Sequence, residues 1–122
     1  MKLIKIGKTL KDLLLADETV SEYLTGKIFP IVAVEGTTFP FLVYRRSGYK
    51  PASNKDLEDE IVSVEINILS DKYENSVDVA DAVLTGLHGS NEEIDRVNIT
   101  GTSESFSSDI YVQRILIDIY LK

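Results

Sequence analysis

The chain has 122 residues, with 20 aspartates and glutamates against 13 lysines and arginines, a formal net charge of −7, and no cysteine. That length makes a single domain able to bury a core unaided, and the missing cysteine excludes disulfides, thiolate zinc sites and cysteine nucleophiles. The acidic balance argues against sequence-specific or general affinity for nucleic acid, which rests on lysine and arginine neutralising phosphates, although it suits a wall along which DNA slides without sticking.

Met1 to Ile6 is too short and too charged for a signal peptide, and no run approaches membrane-spanning length. A soluble intracellular or particle-bound protein with no membrane partner is expected. Lys8 to Thr25 predicts a helical region in two pieces. Thr9 with Asp12 reads as its start, and Leu10, Leu13 and Leu14 make an apolar edge. Ala16-Asp17-Glu18 interrupts the pattern, and Thr19 with Glu22 forms a capping box for a short second helix carrying Val20, Tyr23 and Leu24. Gly26 ends it. Lys27 to Thr38 reads as an irregular connection with a short strand at Ile31 to Val34.

Pro40 precedes a strand at Phe41 to Arg46, where a proline at the entrance loses no ladder bond. Phe41 and Val43 lie on one face of it, Leu42 and Tyr44 on the other. Ser47 to Glu60 is a long polar excursion, read as an extended hairpin loop. From Ile61 the alternation of Val62, Val64, Ile66 and Ile68 with polar residues marks a half-buried strand. The period then becomes helical: Tyr73, Val77, Ala80, Leu84 and Leu87 form one stripe, Asp71 with Glu74 caps it, and Gly89 supplies a left-handed stop. Ser90 to Glu93 is a link and Ile94 to Thr100 a strand with Val97 and Ile99 inward. Gly101 to Asp109 turns the chain. The last strand, Ile110 to Leu121, places Ile115, Ile117, Ile119 and Leu121 on one face and Arg114, Leu116, Asp118 and Tyr120 on the other.

This order of helix, strand, strand, helix, strand, strand predicts an α+β two-layer domain spanning residues 1–122, with a mainly antiparallel sheet. Pattern alone allows one sheet or two partly separated hairpins.

Few residues point to chemistry. His88, the only histidine, falls in the last turn of the long helix, where a helix-end role is preferred over a triad. Asp56, Glu58, Asp59 and Glu60 form an acidic run without the spacing or glycine of a calcium loop. Arg45, Arg46, Lys50 and Lys55, interleaved with Tyr44 and Tyr49, make a basic counterpart. Such a mixture can serve single-stranded nucleic acid, but the stronger reading is a strand end and loop whose charges, Arg45 and Arg46 among them, are solvated or pair with Asp56 to Glu60 of a neighbouring copy, a self-complementary pattern that suits a ring. Gly101 to Asp109 lacks a phosphate-loop pattern. Leu42, Tyr44, Leu116 and Tyr120 are assigned to the sheet face away from the long helix. With Glu65, Arg114 and Asp118 around them they would form an apolar patch in a charged surround, the anatomy of a protein–protein contact. The bland alternative is that the first helix covers that face.

Several stretches resemble the tail-completion, or tail-terminator, proteins of long-tailed double-stranded DNA phages. They are Leu10 to Leu15 followed by Asp17, "GKIFPIVA" from Gly26, "PFLVYRR" from Pro40, "VEINILS" from Val64, "ADAVLTGLHG" from Ala80, and the closing strand around Arg114 to Tyr120. The resemblance implies an α+β subunit that forms a hexameric ring with its own copies at the head-proximal end of the tail. Such a ring stops tail-tube polymerisation and offers the surface on which the head–tail connector docks. It would assemble in the host cytoplasm and remain in the virion tail of a phage or prophage. The resemblance implies no catalytic residue, cofactor or metal. This chain departs from it in ending Tyr120-Leu121-Lys122, without the family's frequent tryptophan, and at Ser47 to Glu60. The competing classes are a small ligand-binding or regulatory α+β module, which needs a concave pocket with convergent polar groups, and an enzyme, which would have to use His88.

Overall fold

The computed structural model describes residues 3–52 and 60–122. Three helices, α1 (Ile6–Leu15), α2 (Glu18–Leu24) and α3 (Tyr73–Gly86), pack on one side of a sheet built from β1 (Ile28–Pro30), β2 (Phe41–Lys50), β3 (Glu60–Ser70), β4 (Ile94–Ser107) and β5 (Ile110–Leu121). The expected α+β two-layer domain is what forms. The strand order is β1-β2-β3-β5-β4, so both hairpins join a single sheet. All neighbours are antiparallel except β1 and β2.

The core lies between helices and sheet. Val62, Val64, Ile66 and Ile68 of β3 and Ile115, Ile117 and Ile119 of β5 are essentially inaccessible, beneath Leu10, Leu14, Val20, Leu24, Val79 and Val83. The alternation in β3 and β5 therefore buries the face it predicts, because β3 holds the centre of the sheet, where register is fixed on both sides.

Several local expectations are corrected by packing. α1 begins at Ile6, and Thr9 sits inside it, its hydroxyl donating to Glu93 Oε2 at 2.9 Å. α2 is capped by Asp17, not Thr19: Asp17 Oδ1 accepts from the Val20 amide at 3.0 Å. The interruption at Asp17 is thus the cap itself, since a β-region residue with a side-chain acceptor is what a helix start requires. β1 forms at Ile28–Pro30 rather than at Ile31 to Val34. β2 runs four residues past Arg46, with a bulge between Arg46 and Gly48, so the polar excursion shortens. β4 continues through Gly101 to Ser107, its irregularities at Ile94/Arg96 and Ile99/Gly101 absorbed by pairing with β5. The turn is only Ser108-Asp109, both at positive φ (53° and 63°), the two-residue hairpin geometry that matches strand twist.

The long helix is rotated from its expected face. Its buried residues are Ser76, Val79, Ala80, Ala82, Val83 and Gly86, followed by Leu87, whereas Tyr73 and Val77 are 45% and 38% exposed. Small residues let α3 sit close to its neighbours: a Cβ on Gly86 would lie 3.3 Å from Val20 Cγ2. Buried Ser76 is satisfied by donating to the Tyr73 carbonyl at 2.6 Å and accepting from Gln113 Nε2 at 3.2 Å. The cap expected from Asp71 is absent, for Lys72 occupies the N-cap position with no side-chain bond. Gly89 is not among the residues at positive φ, so it is no left-handed stop.

Candidate assembly surface

Among the described residues no helix lies on the second face of the sheet. Register assigns residues to it. Val43 is opposite Asn67, Arg45 opposite Glu65, and Glu65 in turn opposite Leu116. Tyr120 is opposite Ile61 on one side and Arg96 on the other. Towards the β4–β5 turn this open face is apolar. Phe39 stacks on Phe41 at 5.4 Å between centroids, Phe29 meets Phe41 edge-on at 6.4 Å, and Val43, Leu69 and Val112 continue the patch. A shallow trough of about 510 Å³ runs between them and Ile31 to Ala33.

Charge organises the middle. Glu65 accepts from Asn67 Nδ2 at 2.9 Å and from Arg45 Nη2 at 3.1 Å, while Arg114 Nε donates to Asn67 Oδ1 at 3.4 Å. The Asn67 bond, then the Arg45 guanidinium and the charge of Arg114, hold the Glu65 carboxyl below its ordinary range against a contrary effect of burial. A lowered carboxylate pKa contributes stability above the unfolded-state value, and that stability is lost as pH falls through the folded-state value. The urea midpoint should therefore fall on acidification below the ordinary glutamate range. The Glu65→Gln variant should show a smaller fall over the same interval, and equal pH profiles would show that this network contributes nothing. Nearer the other end, Ser63 donates to Asp118 at 2.7 Å and the Arg96 guanidinium lies 3.9 Å from the Tyr120 ring centre.

The residues expected to form one patch are divided between faces. Leu116 and Tyr120 point outward as read, Leu116 being 38% exposed. Leu42 and Tyr44 do not. They pair with Ile68 and Ile66, whose side chains are in the core, and residues directly opposite share a face. Leu42 is completely buried, and Tyr44 lies over Gly7, where an added Cβ would come within 2.5 Å of the phenol oxygen. Burial raises the Tyr44 pKa. The assignment fails because β2 is apolar on both faces, with Phe41 and Val43 facing outward.

Arg45 is on the open face and Arg46 on the helix side, both exposed. Asp56 and Glu58, with Lys55 and Asp59, lie outside the described residues. Glu60 opens β3 and accepts a hydrogen bond from Tyr49. His88 is exposed just beyond α3. Among the described residues no group of three or more histidines and carboxylates could hold a metal ion, and no helix is long and apolar enough to cross a membrane.

One exposed apolar segment escapes sequence reasoning. Ile31, Val32 and Val34 are 69%, 72% and 66% exposed in the loop after β1. A run of β-branched residues reads as strand. Here the chain turns instead, at Ile31 (φ 67°) and Gly36 (φ 85°).

The profile of the tail completion protein gp17 family matches residues 8–115. The chain belongs to this family. Membership places it among the structural proteins of phage tails. No curated protein matches it. Among solved structures, a chain from "Virion of native gene transfer agent (GTA) particle" shares its fold, with a TM-score of 0.67 at 12% identity over 92% of this chain and 90% of that one.

Proposed function

We propose that this tail-completion family member closes a homo-oligomeric ring, six-membered as its resemblance implies, that ends the tail tube and joins it to the head connector. The observation that carries the reading is the open sheet face. A two-layer domain with helices on one side has left Phe41, Val43, Leu69, Val112 and Leu116 on the other, around a fixed Arg45–Glu65–Asn67–Arg114 network. An exposed apolar patch bordered by ordered charge is what a protein contact uses.

On this reading Arg45, Leu116 and Tyr120 meet the rest of the tail, while Leu42 and Tyr44 hold the subunit together. The work is done by shape and charge, without catalysis. A ring ends a polymer when one side matches the last tube ring and the other offers the growing tube nothing to add to. The subunit would assemble in the host cytoplasm and stay in the virion tail, and the net charge of −7 suits a passage for DNA.

The test is tube growth. Purified chain added to polymerising tail-tube protein should shorten the tubes in proportion to its concentration, with a cap visible at one end by electron microscopy. Tubes of unchanged length at stoichiometric excess would overturn the proposal.

A further inference from the structure

Charge is unevenly distributed over this subunit. α2 and α3 carry Glu18, Glu22, Glu74, Asp78 and Asp81 and not one lysine or arginine. Asp17, Asp78 and Asp81 line a groove of about 250 Å³ between them, around Tyr23 and Ala82. Elsewhere, where the start of α1 meets β2, Lys5, Lys8, Arg45 and Arg46 line a groove of about 540 Å³. Four of the chain's 13 basic residues converge there. Lys8 and Arg45 have ion-pair partners in Asp12 and Glu65, at 3.5 and 3.1 Å. Among the described residues Lys5 and Arg46 have none.

The basic groove is also greasy. Ile4 and Ile31, 62% and 69% exposed, stand on its walls. Ile31 is held at φ 67° by its amide, which donates to the Tyr44 carbonyl at 2.8 Å. A left-handed conformation is unfavourable for any residue with a Cβ, and a β-branched one is the least suited to it. Within the subunit that strain returns no burial, since the side chain is left in solvent. Strain retained without an internal return points to a contact outside.

We propose that this basic, apolar groove receives the acidic α2–α3 face of a second copy, joining subunits head to tail. The inference rests on the ring reading above and names the surfaces that close it. Two different patches on one chain make a heterologous contact, the kind that generates rings. Copies that each carry −7 repel at long range, so a stable contact needs a place where the sign is reversed, and the groove supplies it. Complementary charge then sets approach and register, and Ile4 and Ile31 gain the burial they lack.

Two reversal variants test this. Lys5→Glu with Arg46→Glu leaves the groove only the already paired Lys8 and Arg45 as cations and so makes it acidic, and Asp78→Lys with Asp81→Lys makes the groove between α2 and α3 basic, with Asp17 the one carboxylate still lining it. Each alone should lose self-association about tenfold or more, because like charges then face each other. Mixed in equal amounts they should recover it, since the acidic groove of one accepts the basic helices of the other, and the two untouched surfaces remain complementary. Ile31→Asn is a third probe that does not depend on the reversals folding. Asparagine tolerates the left-handed region, so thermal stability should hold or rise while self-association falls. A wild-type chain that assembles while the mixture does not recover, or reversal variants that assemble like wild type, would overturn the proposed surfaces and leave the ring reading intact. A wild-type chain that stays monomeric with tube protein present would overturn both.

Discussion

Val83→Asp should abolish cooperative folding, while Val77→Asp on the same helix should leave the melting curve nearly unchanged. Val83 is completely buried against the sheet and Val77 is 38% exposed. A carboxylate at the first position has no partner in an apolar interior. An uncompensated buried charge costs about 3–5 kcal/mol, and the lost valine packing adds to it. That is comparable with the roughly 5–15 kcal/mol that hold such a domain together. At Val77 the charge reaches water, and surface changes of this kind stay within about 0.5 kcal/mol. Circular-dichroism melts of the two variants decide it. Equal destabilisation would mean that α3 faces the core through the stripe read from its sequence and not through Val79 and Val83.

Leu116→Lys combined with Val43→Thr should leave a folded subunit that no longer joins the tail. Both positions point away from the helices, and threonine suits a strand at least as well as an interior does valine. Leu116 lies directly opposite Glu65, so the new ammonium gains an opposite charge across the ladder. The apolar patch is interrupted without any change in the core. Tyr44→Asp gives the contrasting result: a lower melting temperature, because the phenol packs over Gly7 on the helix side. Comparing melts with binding to tube protein separates the two classes. Normal tail binding by the Leu116→Lys, Val43→Thr variant would remove the open face from the assembly account.

Much of the scaffold was legible in the sequence, and the failures share a cause. The sequence pattern predicts β3 and β5 correctly, because Val62 to Ile68 alternate with polar residues and in β5 Ile115, Ile117, Ile119 and Leu121 keep one face wholly aliphatic while the other is broken by Arg114 and Asp118. Leu10, Leu13 and Leu14 of α1 were legible for the same reason at helical period. β2 was not, since Phe41-Leu42-Val43-Tyr44 offers two apolar faces, and the choice was made by partners twenty or more residues away in Ile66 and Ile68. Ala80 in α3 and Leu87 at its end are buried as the stripe predicts, but the rest of the buried face is partly made of Ser76, Ala82 and Gly86, which carry little hydrophobic signal but permit close approach. The serines of β4 suggested a turn, and pairing with β5 overrode that local preference. The candidate surface inherited the β2 error: half of its expected apolar members belong to the core, while Phe41 and Val43 take their place outside. Ile31 to Val34 looked like a strand because an exposed, strained apolar loop has no pattern of its own.

The most direct measurement is the mass of the wild-type chain in solution, by sedimentation velocity across a wide concentration range with and without tube protein. One discrete closed species is expected at a fixed multiple of the 13.6 kDa subunit, in equilibrium with monomer and favoured by the tube. Sedimentation of a monomer alone at every concentration, unaffected by tube protein, would contradict it.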